Sequence, residues 1–155
     1  MAKNYYNATL RNLEYRLRKF KDELPLYLED IIRSKEDVIV DAIRNDQLYR
    51  RGINGEGVKI MDYAPYAPST IKRKRRLGQP TTRVTLRDSG KFHESMYLEL
   101  DSEGFRIVTD DQKAKFLVSR YGANIFRLTN ENFNRIVKSH IRKELIRKLK
   151  LTIND

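Results

Sequence analysis

From Tyr6 the apolar residues fall at Tyr6, Leu10, Leu13, Leu17, Phe20 and Leu24. Their steps alternate between four and three, which marks one stripe along a helix. Pro25 falls at its end, so the pattern predicts either two N-terminal helices or one long helix bent there. Leu28, Ile31 and Ile32, then Val38, Ile39, Ala42 and Ile43, continue the helical spacing. Ser34 and Asp37 have capping-box-like spacing and suggest a restart at Ser34. The stripe is short for a coiled-coil seam, and the expectation is a face packed on a sheet. Gly52, Gly55 and Gly57 then break the helix. No strand precedes them and no Lys-Ser/Thr follows, so they read as a turn and not a phosphate loop.

Beyond Gly90 the period changes to two. Met96, Leu98 and Leu100 alternate with Tyr97, Glu99 and Asp101, and Phe105, Ile107 and Thr109 alternate after a Ser102-Glu103-Gly104 turn. This predicts an antiparallel hairpin over 95–101 and 104–109. Residues 113–121 suit a helical turn or a third strand, ended by Gly122. Thr129 is a good N-cap for a C-terminal helix with Phe133, Ile136, Val137, Ile141, Leu145 and Leu149 on one side. Together these elements predict an α+β fold in one domain, residues 1–155. N-terminal helices and a C-terminal helix pack on a small antiparallel sheet, and residues 57–90 form a long central loop or arm.

Composition narrows the function. Hydrophobic residues make up 39% of the chain, enough for a modest core, and charged residues make up 34%. No stretch is long and apolar enough to span a membrane, and MAKNYYNATL lacks an apolar signal core. Cysteine is absent, which excludes disulfides and thiolate metal sites and fits synthesis in a reducing cytoplasm. His93 and His140 are the two histidines, with no metal-ligand spacing, so neither a metal nor a cofactor is expected. Ser89 lacks a nucleophile-elbow context, and the Asp110-Asp111 and Glu29-Asp30 pairs read as solvated. The chain is therefore not expected to be an enzyme.

Net charge is +11. A basic chain suits a polyanion or an acidic protein neighbour. Lys72, Arg73, Lys74, Arg75 and Arg76 form one run, preceded by Tyr63 and Tyr66. The run has two readings. It is a phosphate-contacting loop with tyrosines that stack on bases, or an extended arm that orders against a neighbouring subunit. The tyrosine-proline lead-in favours protein contact, because tyrosine and arginine are enriched in interfaces and proline lowers the entropy of ordering. Residues 63–86 are accordingly expected to be mobile in the free chain and ordered in an assembly. Asp88, Ser89 and Gly90 are expected to make a tight turn, with Gly90 at positive φ, Asp88 and Ser89 bonding to backbone, and a strand starting near Phe92.

The order Tyr63, Pro65-Tyr66, Pro68-Ser69-Thr70-Ile71, basic run, Leu86, Asp88-Ser89-Gly90, Ser95 is similar to the signature of small phage virion morphogenesis proteins. These are the tail-completion and head–tail joining family, with its Mu-type and HK97-type tail-component members. The match is sharpest over residues 57–98. Where many members carry aromatic-Gly-Thr and then Arg-Pro-Phe, this chain has Tyr121-Gly122-Ala123 and Ile125-Phe126-Arg127-Leu128-Thr129. The resemblance implies a structural subunit of a tailed phage, made in the bacterial host and placed in the virion neck or tail top. It implies a homo-oligomeric ring that touches neighbouring neck, connector or tail proteins, and no catalytic residues. The alternative is a basic accessory protein that binds nucleic acid, packaged DNA included.

Overall fold

The computed structural model describes residues 2–154, with side chains from residue 9 onward. The Tyr6 side chain of the N-terminal stripe lies outside the described residues. The fold is α+β: helices dominate, and one two-stranded antiparallel sheet is present. The backbone gathers into two compact units, residues 1–35 with 136–155, and residues 36–135.

The first unit is a helical hairpin. Helix α1 runs without interruption from Ala2 to Ser34 through Pro25, so the break considered at that proline does not occur. Ser34 ends the helix: its hydroxyl donates to the Ile31 carbonyl (2.7 Å), and it does not cap a new helix start. The returning strand of the hairpin is the C-terminal helix, a π-helical turn at Val137–Ile141 followed by its last segment, Arg142–Asn154. The Arg16 guanidinium donates to the Ile153 carbonyl at 3.0 Å, and the Lys148 ammonium lies 4.6 Å from the Tyr27 ring centre. These pairs set the two helices antiparallel. The α1 stripe thus packs on the C-terminal helix. Phe20 is buried, but Leu10 and Leu17 stay exposed, as do Leu26 and Leu151.

The second unit opens with α2 (Glu36–Asp41), continued by a π-helical segment, Ala42–Arg51. Helices α3 (Ile60–Tyr63), α4 (Pro68–Arg76) and α5 (Lys91–Glu94) follow. Strands β1 (Met96–Asp101) and β2 (Gly104–Thr109) pair with Leu98 opposite Ile107. Met96, Leu98 and Ile107 point inward and are buried. The Asp101 carboxylate closes the hairpin by accepting from the Glu103 and Gly104 amides at 2.9 and 3.1 Å. It is α2 that reaches this sheet: the Glu36 carboxylate accepts from the Leu98 amide at 2.9 Å. Helix α6 (Ala114–Tyr121) resolves the helix-or-strand alternative, and Gly122 ends it. Helix α7 (Asn130–Ile136) starts as expected from Thr129, whose hydroxyl accepts from the Asn132 amide at 3.2 Å. The glycine-rich segment is a plain turn, in which the Asn54 side chain accepts from the Glu56 and Val58 amides, both at 3.0 Å.

A buried polar cluster ties the unit's two ends together. Gln47, fully buried beside Ile43 and Leu48, donates to the Arg127 carbonyl (2.9 Å) and accepts from the Thr129 amide (2.8 Å). Asn132 donates to the Gln47 side-chain oxygen at 3.1 Å and to the Asp46 carboxylate at 3.0 Å. The N-terminus of α7 is thereby held on the π-helical segment.

Candidate functional site

The segment 57–90, expected as an extended arm, is folded onto the second unit. Pro68 stands at the first turn of α4, where its missing amide hydrogen costs nothing. Lysine and arginine are good helix formers, and the cations at the helix C-terminus suit the macrodipole. Local helix energetics therefore overrule the repulsion that reads as an extended run. Tyr63 donates its hydroxyl to the Tyr121 carbonyl (2.9 Å), and the Arg120 guanidinium donates to the Pro65 carbonyl (3.0 Å). Helix α6 thus holds the tyrosine-proline stretch in place.

The five cations separate by environment. Lys72, Arg75 and Arg76 are exposed. At spacings of three and four they share one face of α4. Arg73 pairs with the Asp88 carboxylate. Lys74 is only 4% exposed. Its ammonium donates to the Gln79 side-chain oxygen at 2.9 Å and to the Arg87 carbonyl at 2.7 Å, and lies 5.1 Å from the Tyr66 ring centre. Among the described residues no carboxylate lies within ion-pair distance of it. A neutral ring face and two neutral carbonyl oxygens are what stabilise the charge.

Tyr66 is buried as well. Its hydroxyl accepts from the Thr85 amide at 2.9 Å and lies 3.3 Å from the Thr85 hydroxyl. The Thr85 carbonyl lies 2.9 Å from His93 Nε2. A carbonyl can only accept, so the proton of neutral His93 sits on Nε2. That leaves Nδ1 buried without a partner. The His93 pKa is pushed down from 6.5 to about 4: burial is the main cause, the bond to the Thr85 carbonyl opposes it, and the Arg87, Arg44 and Lys74 cations add to the lowering. His93 is thus a neutral structural residue behind the site.

The Asp-Ser-Gly stretch is a turn, with Gly90 at φ +97°. Its details differ from expectation. The Asp88 side chain goes to Arg73, and the Asp88 carbonyl accepts from the Gln79 side-chain amide at 2.9 Å. Ser89 alone reaches local backbone, 3.5 Å from the Lys91 amide. The chain then enters α5 before the strand, which starts at Met96 and not near Phe92. Leu86, on the other side of the turn, also takes a positive φ of 51°. A non-glycine residue there is uncommon and carries strain that its surroundings must hold. Leu86 is buried, which supplies that hold.

These residues surround one cavity of about 370 Å³. Tyr66, Leu86, Phe92, Leu117 and Tyr121 give it apolar walls, and Ser69, Thr70 and Ser89 add hydroxyls. Its charged lining is Arg73, Lys74, Arg87 and Lys113 against Asp88 and Asp111. The residues singled out in the sequence therefore divide. Tyr66, Arg73, Lys74, Asp88, Ser89 and Gly90 come together around the cavity. Tyr63 and the outer cations Lys72, Arg75 and Arg76 lie outside its lining. Sequence reasoning missed Leu117, Tyr121, Lys113 and Asp111, which α6 and the turn before it supply from across the unit. Among the described residues no group of three or more histidine, cysteine or acidic side chains could hold a metal ion. No helix there is long and apolar enough to cross a membrane.

Gly90→Val is expected to cost about 1–3 kcal/mol, because a β-branched residue at positive φ is strained. A Cβ on Gly90 would also lie 2.9 Å from the Glu94 carboxylate oxygen. A thermal melt checks this, and an unchanged midpoint would mean that the turn accepts another backbone conformation.

In comparisons with known proteins, no family model matched this chain, and no curated protein or solved structure matched it significantly.

Proposed function

We propose that this chain is a structural subunit of a tailed-phage virion, working at the neck or tail top as one member of a homo-oligomeric ring. The observation that carries the reading is the convergence around the cavity. The tyrosine-proline stretch, the Ser-Thr-Ile-Lys-Arg-Lys stretch and the Asp-Ser-Gly turn carry the resemblance, and residues of all three line it. A signature of this kind is expected to share a site when it serves one contact. The catalytic alternative lacks support in this cavity, since its one nearby histidine, His93, is buried and bonded to backbone. The helical hairpin adds a second argument. Leu10, Leu17, Leu26 and Leu151 remain exposed on it, and apolar surface of that kind suits further association.

The nucleic-acid reading has its own support in Lys72, Arg75 and Arg76, which share an exposed face of α4. One triple variant separates the two. Replacing these three with Gln should change stability by less than about 0.5 kcal/mol, as exposed substitutions do. In a head-to-tail joining assay the variant should lower the yield of complete particles. Unimpaired joining, combined with a loss of salt-dependent binding to duplex DNA, would favour the nucleic-acid reading instead. Lys74 is left out of this variant because it is buried, and neutralising the whole run would disturb the fold.

A further inference from the structure

The geometry points to the cavity between α4, the Asp88–Gly90 turn and α6 as a receptor for a peptide segment of a neighbouring protein. The segment it fits carries an apolar side chain next to a carboxylate. That the segment comes from an assembly neighbour rests on the virion reading above; the chemistry of the cavity does not.

Three observations carry this inference. The first is size and lining. About 370 Å³ walled by Tyr66, Leu86, Phe92, Leu117 and Tyr121 suits one large apolar side chain with part of its backbone. The second is charge. Lys74 lies in the wall, almost fully buried, and its two hydrogen-bond partners are neutral. A buried ammonium compensated only by neutral groups is stabilised by an arriving anion. Lys113 and Arg87 add the same sign to the lining. The third observation selects peptide over nucleic acid. Asp88 and Asp111 also line the cavity. Asp88 is paired with Arg73 and Asp111 accepts from the Lys113 amide; their remaining lone pairs can take peptide amides, and they disfavour a run of phosphates more than a single ligand carboxylate. Leu86 fits the same picture: its strained backbone holds an apolar side chain in the wall, and strain of this kind clusters at ligand-binding sites.

The test uses the full-length chain and amide chemical shifts. The probe is N-acetyl-Phe-Glu-amide, with N-acetyl-Phe-Gln-amide as its uncharged counterpart, N-acetyl-Ala-Glu-amide as its small counterpart, and a short oligothymidylate. The Phe-Glu probe should shift the amides of Lys74, Gly90 and Leu117, with an affinity on the order of 1 mM, as befits so small a ligand. The Gln and Ala counterparts should each bind about fivefold or more weakly. Lys74→Met should narrow the preference for the Glu probe over the Gln probe. Lys113→Gln, at an exposed position, should weaken the Glu probe alone, and so keeps the test intact if Lys74→Met does not fold. Absence of shifts at those amides would overturn the inference, as would equal binding of the Glu and Gln probes to the wild type. Tighter binding of oligothymidylate at the same amides would overturn it in favour of a nucleic-acid ligand. Each of these results leaves the head-to-tail joining assay unaffected, so failure of the cavity inference is distinguishable from failure of the virion reading.

Discussion

Gln47→Leu is expected to destabilise the second unit by about 3–5 kcal/mol. The side chain is fully buried and serves three partners: the Arg127 carbonyl, the Thr129 amide and the Asn132 side chain. Leucine has a similar volume, so the cost comes from stranded polar groups and not from a void. Each buried group left without a partner costs about 1–3 kcal/mol. Asn132 keeps its bonds to the Ala42 carbonyl and to Asp46, which limits its share of the loss. Hydrogen exchange at the Glu99 and Arg106 amides, a hydrogen-bonded pair of the hairpin, reads the change in the unit's stability. A loss under about 1 kcal/mol would mean that water replaces the side-chain amide at little cost.

The second large effect is pH dependence through His93. The folded chain holds this residue neutral, with a pKa of about 4 against 6.5 for a free histidine. The unfolded chain therefore takes up the proton first as the pH falls. Stability from this group is complete above pH 6.5, declines as the pH falls from there towards 4, and changes no further below that. Over the whole interval the decline is about 3 kcal/mol, at 1.36 kcal/mol for each pKa unit. His93→Gln gives up this titration and keeps a donor for the Thr85 carbonyl. Its stability should therefore fall less steeply than that of the wild type between pH 6.5 and 4, measured by urea unfolding at a series of pH values. Parallel curves for the two proteins would contradict a neutral, buried His93.

Periodicity made much of this fold legible. The hairpin was readable to within a residue because one face of β1 is buried and the other solvated, so alternation carries the register. Thr129 was readable because capping is local chemistry. What packs against what was not readable. An apolar stripe on a helix shows that a face will be covered but does not name the covering element, and here α1 meets the C-terminal helix. Pro25 left two helices or one long helix open: a proline weakens a helix, and α1 continues through it as one helix with partners on both sides, at Arg16 and Tyr27. The basic run was read as a stretch of like charges, although Pro68 at its head already signalled a helix start. Once α4 forms, one position of the run must face inward, and Lys74 is that position. Gln47 left a signal that went unused. It follows Ile39 and Ile43 at steps of four, so a polar side chain occupies the next place in a buried stripe. The contribution of α6 to the cavity had no signal in the sequence, because Leu117 and Tyr121 reach it only through the tertiary fold.

A density map of the intact virion that contains this chain tests the central claim most directly. The account predicts a closed ring of this chain at the neck or tail top, with a side chain of a neighbouring protein seated between Tyr66, Lys74 and Leu117. Absence of the chain from the particle would contradict the account, and so would a ring in which that cavity faces open solvent or the DNA.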